Sequence, residues 1–248
     1  MNERQIKILN IVNREKRIAV TELAAAVGVS EVTTRKDLSV LEDRGLLRRE
    51  HGFATMVAID DVSKRMAIGY EVKRRIAKCA AASVADGETV MIESGSSCAL
   101  LAEELATVRR DITIVTNSVF IAGFVRDKQG ARIILMGGEL QKEAQVMVGP
   151  LVRKCAESFY VDKLFAGTDG FNDRGAMSGD LMRAEAVRAM AENAKEISIL
   201  TESNKFSRTG VVTLLPYSVI GTIYTDSRIE DAMLVSLREM EINVCLAE

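Results

Sequence analysis

The stretch TELAAAVGVSEVTTRKDL, residues 21–38, holds two helical patterns separated by a corner of only two residues, Gly28-Val29. Thr21 offers a cap to the first helix. Gly28 ends it as a left-handed C′ residue does, because glycine carries no Cβ to clash there. Ser30 caps the next helix, and Glu31 and Asp37 favour its early turns, where the dipole welcomes negative charge. Ala24 supplies the small side chain that a close helix crossing needs. The pattern is that of a helix-turn-helix.

Before this stretch, residues 3–15 place Ile8, Leu9 and Val12 at helical spacing among charges, so an amphipathic helix is expected, followed by a short apolar link at residues 18–20. After it, Gly45 closes the third helix, and LLRREHGFATM is short and β-prone with Gly52 as its turn, the expected place for a hairpin wing. With Leu38 and Leu41 facing the core beside Val27, the outward set is Ser30, Glu31, Val32, Thr33, Arg35 and Lys36, near the helix end that enters a major groove. Arg35 and Lys36 suit guanine edges or phosphates. Arg48, Arg49 and His51 suit the DNA backbone or minor groove beside the wing. Glu31 can equally do no more than cap its own helix, and a plain three-helix module for protein contacts is the other reading of the segment. Charge favours duplex DNA. Residues 1–57 hold ten Lys/Arg and eight Asp/Glu, or +2, which leaves −4 for the remainder of a chain whose total is −2.

Beyond residue 57 a connector and the start of a long helix, residues 64–84, are expected over 58–75, and a larger domain over 76–248. There the chain alternates short β-branched runs with polar loops and helical patterns: ETVMIE, ITIVT, ARIILM, KLFAGT and ISILT. That alternation predicts a mostly parallel sheet with helices on both faces. In such sheets ligands bind outside the carboxyl ends of the strands, so the strand-end loops locate a site. The first loop, Glu93-Ser94-Gly95-Ser96-Ser97, opens a helix at Cys98 and offers amides, hydroxyls and a flexible glycine to an anion such as phosphate. It lacks a P-loop lysine and dinucleotide-fingerprint spacing, so no nucleotide cofactor is expected. The others are Thr116-Asn117-Ser118, Gly137-Gly138-Glu139, Gly167-Thr168-Asp169-Gly170 and Glu202-Ser203-Asn204-Lys205-Phe206. Singly each is ordinary turn chemistry. Together their hydroxyl, amide, carboxylate and ammonium groups suggest a polyol-phosphate pocket, in which Glu93 turns to sugar hydroxyls shared with Asn117 and Asp169 while Lys205 balances charge.

Composition closes several other routes. With one histidine and four widely spaced cysteines, Cys/His zinc clusters and most Ser-His-Asp arrangements lack their residues, so no metal and no catalytic set are expected. No apolar run is long enough to span a bilayer and no signal-peptide pattern starts at Met1, so a cytoplasmic protein without membrane contact is expected.

Residues 4–54 resemble the reader of the DeoR family of bacterial sugar-metabolism regulators. VSEVTTRKDLSVLEDRGLLRREHGFA carries the family pattern V-S-x-x-T-I-R-x-D-L and L-E-x-x-G-x-L-x-R-x-H-G-G-A. Thr34 stands where isoleucine is usual, so its hydroxyl needs a carbonyl partner, and Phe53 replaces the second wing glycine. DGETVMIESGSS, TIVTNSVFIA, ILMGGEL, AGTDGF and TESNKF resemble the sensor blocks, with Glu93 and Ser96-Ser97 in place of a more usual aspartate and threonines. The resemblance implies a winged helix-turn-helix joined to a sugar-phosphate-isomerase-like sensor. It implies a regulator, in all expectation a repressor, that binds operator DNA and a phosphorylated sugar effector. Paired half-sites lead to a homodimer or homotetramer. The rival is a sugar-phosphate isomerase drawing base and electrophile from Glu93, Asp169, Glu185 and Lys205. A fused DNA reader gives such an enzyme no advantage.

Overall fold

The computed structural model describes residues 1–43, 46–55 and 62–248. It separates into two units, Met1–Tyr70 and Glu71–Glu248.

In the first unit, helix α1 (Glu3–Glu15) leads to strand β1 (Arg17–Ala19), helix α2 (Val20–Val27) and helix α3 (Glu31–Asp43). Strands β2 (Arg48–Glu50) and β3 (Phe53–Thr55) and helix α4 (Val62–Ala67) follow. A capping box between Asn2 and Gln5 starts α1, and Ile8, Leu9 and Val12 are fully buried beside Leu23, Leu38 and Leu41. Gly28 ends α2 at φ 81° with its N–H on Ala24 O, the left-handed stop the sequence calls for. Thr21 does not cap α2. The helix begins at Val20, two residues earlier than a Thr21 cap would place it, with Ala19 at the cap position and no side-chain cap. Ser30 does cap α3, accepting from Thr33 N at 3.2 Å. The expected end of α3 at Gly45 lies outside the described residues, as do residues 58–61 of the expected connector.

The wing is present, and it recruits the segment expected to be a mere link. β1 pairs antiparallel with β3, which pairs with β2, giving the order β1-β3-β2. His51 and Gly52 turn the hairpin at φ 48° and 83°. Two consecutive positive φ values mark the tight turn whose twist suits a β-hairpin. The ring of Phe53 lies under the Arg17 guanidinium, 3.6 Å from its centroid, so the aromatic residue joins β3 to β1 across the wing.

Two polar residues of α3 prove more structural than expected. Thr34 is fully buried and donates to Ser30 O at 3.1 Å, which satisfies the hydroxyl. Asp37, rather than serving the helix dipole, is 5% exposed and takes Arg4 Nε at 2.5 Å and Gln5 Nε2 at 3.2 Å, tying α3 to α1.

The expected long helix over 64–84 is two. Gly69, at φ 65°, interrupts it between α4 and α5 (Tyr70–Ala82), because a left-handed residue cannot continue a right-handed helix. The second unit continues through β4 (Thr89–Ile92), α6 (Ser96–Val108), β5 (Ile112–Thr116), α7 (Val119–Val125), β6 (Ala131–Leu135), β7 (Glu139–Gln141) and β8 (Val146–Val148). Next come α8 (Pro150–Ala156), β9 (Val161–Ala166), β10 (Gly170–Asn172), β11 (Gly175–Ser178), α9 (Leu181–Ala191) and β12 (Ala194–Leu200). The unit ends with β13 (Val212–Pro216), β14 (Thr222–Asp226), α10 (Asp231–Glu239) and β15 (Asn243–Ala247).

Seven of these strands form one wholly parallel sheet, ordered β15-β14-β12-β9-β4-β5-β6. Met91 and Leu164 pack with Val152, Ala156 and Met190 of α8 and α9 on one face. Val90, Ile92 and Phe165 point the other way and are equally buried, so both faces are covered. The chain enters at central β4, runs outward through β5 and β6, then returns to β9 on the other side of β4. The strand order therefore reverses between β4 and β9. The β7–β8 hairpin and the antiparallel sheet β10-β11-β13 are inserted after strand carboxyl ends. No helix among the described residues is long and apolar enough to cross a membrane.

Asp37→Ala should remove the tie between α1 and α3 and leave Arg4 and Gln5 without their acceptor. A loss of about 1–3 kcal/mol is expected in urea unfolding of the full chain, and an unchanged midpoint would show that the apolar core alone holds the two helices.

Candidate functional site

All seven parallel strands point their carboxyl ends at one edge of the sheet, and the reversal between β4 and β9 opens the crevice there. Glu93 follows β4 directly. Its carboxylate accepts Gly95 N at 2.8 Å, Ser94 Oγ at 2.7 Å and, across the reversal, Gly167 N at 3.1 Å. The carboxylate expected to turn to ligand hydroxyls thus already serves three donors within the protein. Gly95 is likewise a packing residue. A Cβ on it would meet Glu93 Oε2 at 3.1 Å, Cys98 Sγ at 3.2 Å and Gly167 Cα at 3.3 Å.

Gly95 N–H being occupied, the donors of this loop are those of Ser96 and Ser97. They open α6 and, as first-turn amides, have no acceptor inside the helix. The macrodipole adds roughly half a positive charge at that point. Ser94 and Ser97 are buried.

The β5 end is fastened rather than open. Thr116 Oγ1 donates to Ile92 O at 2.6 Å and receives Ser118 N at 3.1 Å, while Ser118 Oγ caps α7. Asn117 Nδ2 donates to Met147 O at 3.1 Å, and Met147 N returns to Asn117 O at 2.8 Å, pinning the β7–β8 hairpin. Asn117 is 1% exposed, and its Oδ1 has no hydrogen-bond partner, which marks it as an acceptor still available at the strand end. Gly138 lets the hairpin close, since a Cβ there would lie 2.6 Å from Val148 O; at Gly137 a Cβ would meet open space.

At the β9 end, Asp169 Oδ2 accepts Gly179 N at 2.8 Å. Gly170 is required by the backbone of Arg208, whose oxygen would stand 2.3 Å from a Cβ. Lys205 ends a short 3-10 turn over Ser203–Lys205 beyond β12. That turn is held by Asp226 at the carboxyl end of β14, which takes Ser203 N at 2.8 Å and Ser203 Oγ at 3.0 Å. Burial raises the Asp226 carboxyl, but hydrogen bonds from Arg228 and Ser203 outweigh it and hold it below the ordinary aspartate range.

The sequence reading missed one pair. Lys73 Nζ of α5 meets Glu202 Oε2 at 2.7 Å with side chains 5% and 11% exposed. The signal was available, because Lys73 precedes Ile76, Ala77 and Ala80 at the three-, four- and seven-residue spacing of a buried stripe.

In the first unit, Val32, Arg35, Lys36, Arg48 and His51 are exposed, and Thr33 is half-buried against Ser30. Glu31 pairs with Arg35 at 3.2 Å, one turn apart on α3. Arg49 is held to α3 by Glu42, through Nε at 2.5 Å and its backbone N at 2.8 Å. Burial raises the Glu42 carboxyl, but these bonds and the Arg49 charge bring it below its usual value.

A winged helix-turn-helix joined to a parallel α/β unit with its ligand edge at a strand reversal defines a DNA-binding transcriptional regulator with a sensor domain. The model described as the DeoR-like helix-turn-helix domain matches residues 4–59, and that described as the DeoR C terminal sensor domain matches residues 69–227. The protein belongs to the DeoR family. It is 30% identical to the transcriptional repressor AccR of Agrobacterium fabrum over 91% of this chain and 89% of that one. It is 28% identical to the glycerol-3-phosphate regulon repressor of Escherichia coli (91% and 90% covered) and 29% identical to the repressor GlcR of Bacillus subtilis (90% and 88%). The family consists of regulators and not enzymes, which sets the isomerase reading aside. Among solved structures, ribose 5-phosphate isomerase A from Methanocaldococcus jannaschii aligns with 56% of this chain and 55% of that one at 17% identity and TM-score 0.41, too distant to bear on the ligand.

Lys73→Met should leave the Glu202 carboxylate buried without its ammonium, at a cost of about 3–5 kcal/mol in urea unfolding. Adding Glu202→Leu should recover most of that loss. A double variant as unstable as the single would mean that Lys73 acts through packing alone.

Proposed function

We propose that this regulator represses an operon of sugar or polyol metabolism and that a phosphorylated sugar, held at the strand ends of the sensor unit, weakens its hold on DNA. The observation that carries the reading is the pair of first-turn amides, Ser96 and Ser97, at the strand reversal. A phosphate dianion fits there, with the α6 dipole and the serine hydroxyls as its partners. Asn117 Oδ1 and Asp169 then serve sugar hydroxyls, and Lys205 balances the phosphate charge. Thr116, Ser118, Gly137, Gly138 and Gly170 shape the loops, and Glu93, Ser94 and Gly95 keep the phosphate loop in place. The names of three relatives support repression, and that of the Escherichia coli relative supports a phosphorylated polyol. The protein acts in the cytoplasm as a homodimer or homotetramer assembled through residues beyond about 60, so that two readers meet paired half-sites.

On the DNA side, Arg35 and Lys36 reach base edges, with Ser30, Glu31, Val32 and Thr33 beside them at the α3 N-terminus. Arg48 and His51 meet the backbone near the wing. Arg49, already engaged by Glu42, serves first to seat the wing.

A duplex selected from a random pool supplies the probe. Triose, pentose and hexose phosphates, added singly, should include one that lowers its affinity at least tenfold, while the matching unphosphorylated sugar does not. Equal response to both forms would overturn the phosphate assignment. Arg35→Ala should cost about 1–3 kcal/mol and relax one base position, and Arg48→Ala should reduce the salt slope by about 1 without changing sequence preference. A larger change in salt slope from Arg49→Ala than from Arg48→Ala would reverse the roles given to these two.

A further inference from the structure

The polar groups at the start of α3 are spent on one another. Ser30 Oγ accepts from Thr33 N at 3.2 Å and lies 3.0 Å from Thr33 Oγ1. Thr34 Oγ1 donates to Ser30 O at 3.1 Å, and Glu31 pairs with Arg35 at 3.2 Å. Val32 stands among them 65% exposed, the most of any large apolar residue described in the first unit. The buried residues Thr34, Asp37, Leu38 and Leu41 define the inner face of the helix. At roughly 100° per residue, Val32 lies about half a turn from the centre of that face. It therefore stands on the outermost ridge, and Lys36, also exposed, follows one turn on. Glu31, Arg35 and Glu42 lie to one side of the ridge, the side on which Glu42 holds Arg49 of the wing. The fold gains little from a valine here. A β-branched residue on an exposed helix surface is a poorer helix former than alanine, and its burial is too slight to offset that.

We propose that Val32 packs against the C5-methyl group of one thymine in each operator half-site and so specifies that base. The inference rests on the reading that places the α3 N-terminus in a major groove. Base edges there present nitrogen and oxygen donors and acceptors and one apolar group, the thymine methyl. A valine on the outermost ridge meets that methyl without burying a polar atom. Against the edge of guanine, cytosine or adenine it would displace water from a donor or acceptor and offer no hydrogen bond in return. Thymine is thus favoured twice, by the contact it makes and by the penalty on the other bases. The neighbours divide the remaining work. Lys36, next along the ridge, supplies charge for an adjoining base edge or phosphate, and Arg35, held by Glu31, approaches from the flank nearer the wing.

The test deletes the methyl from the DNA and the side chain from the protein. In a duplex selected by the full chain from a random pool, each thymine is replaced in turn by deoxyuridine, which lacks only the C5-methyl. Affinities are read by fluorescence anisotropy at fixed salt. For the wild type, one thymine per half-site should be sensitive, its replacement weakening binding about fourfold, the worth of one buried methyl group. Val32→Ala should bind the parent duplex more weakly and be indifferent to that same replacement, the coupling expected of two groups in contact. It should bind a duplex without the operator as the wild type does, and its thermal unfolding should be no lower, alanine being the better helix former. A scan with no sensitive thymine would overturn the contact, as would a thymine equally sensitive in Val32→Ala. Failure of the wider reading has its own mark. Arg35→Ala and Lys36→Ala that leave base preference unchanged at every position would overturn the placement of α3 in the groove, and this contact with it.

Discussion

The carboxylate of Glu93 is the interaction on which the sensor edge depends. A parallel sheet gathers its loops at one edge, and at a strand reversal the two central loops must diverge. Nothing in the sheet ladder holds them beyond the last paired residues. Glu93 does so by accepting from Gly95 on its own loop and from Gly167 on the other side of the reversal. The two glycine backbones approach so closely that a Cβ on Gly167 would lie 3.4 Å from Gly95 Cα. A Cβ on Gly95 would be the tighter fit, at 3.1 Å from Glu93 Oε2 and 3.3 Å from Gly167 Cα, so its neighbours would have to give by a few tenths of an ångström. The acid at the β4 end is thus the device that aims the Ser96 and Ser97 amides. Its negative charge is partly offset by three donors, which keeps it compatible with the anion proposed at the α6 start.

The same logic operates at the other strand ends. Asp226 restrains the Ser203–Lys205 turn, Glu202 meets Lys73, Asp169 takes Gly179, and Asn117 grips the hairpin. Most polar groups of the edge are committed to one another before any ligand arrives. Preorganisation of this kind reduces what an incoming ligand must order. Asn117 Oδ1, buried without a partner, stands apart from these committed groups.

The reader is legible in its sequence because its signals are local. Gly28 and Ser30 act on their own neighbours, and a helix with Leu38 and Leu41 inward has only one outward face. What escapes is non-local. The role of Asp37 depends on Arg4 and Gln5, more than thirty residues away. The link at residues 18–20 becomes a strand only because β3 lies beside it. In the sensor, five strands stand out as β-branched runs, and β14 and β15, the last two strands on one side of the sheet, do not enter that reading, although TIYTD has the same character. The small sheet and the hairpin are made of three- to five-residue strands whose pairing decides them, not their periodicity. The loops were placed correctly by the strand-end rule. Which of their groups are spent on the fold could not be read from residue type, since a carboxylate that binds a ligand and one that binds backbone amides look alike in sequence.

Glycines show that distinction most sharply. Gly95, Gly138 and Gly170 sit in the expected ligand loops, and glycine in such a loop reads as room for a ligand. In the structure the space beside each is filled by protein, Cys98 and Gly167 at the first, Val148 and Val152 at the second, Arg208 and Thr209 at the third. Of the glycines in these loops, Gly137 alone has open space beside it, and it is itself exposed. The small residues of this edge therefore allow loops to pack on loops, and the recognition chemistry falls to what projects from them. That division fits a sensor. A rigid, self-satisfied edge with few uncommitted donors responds to the ligand that matches them and ignores the many metabolites that do not.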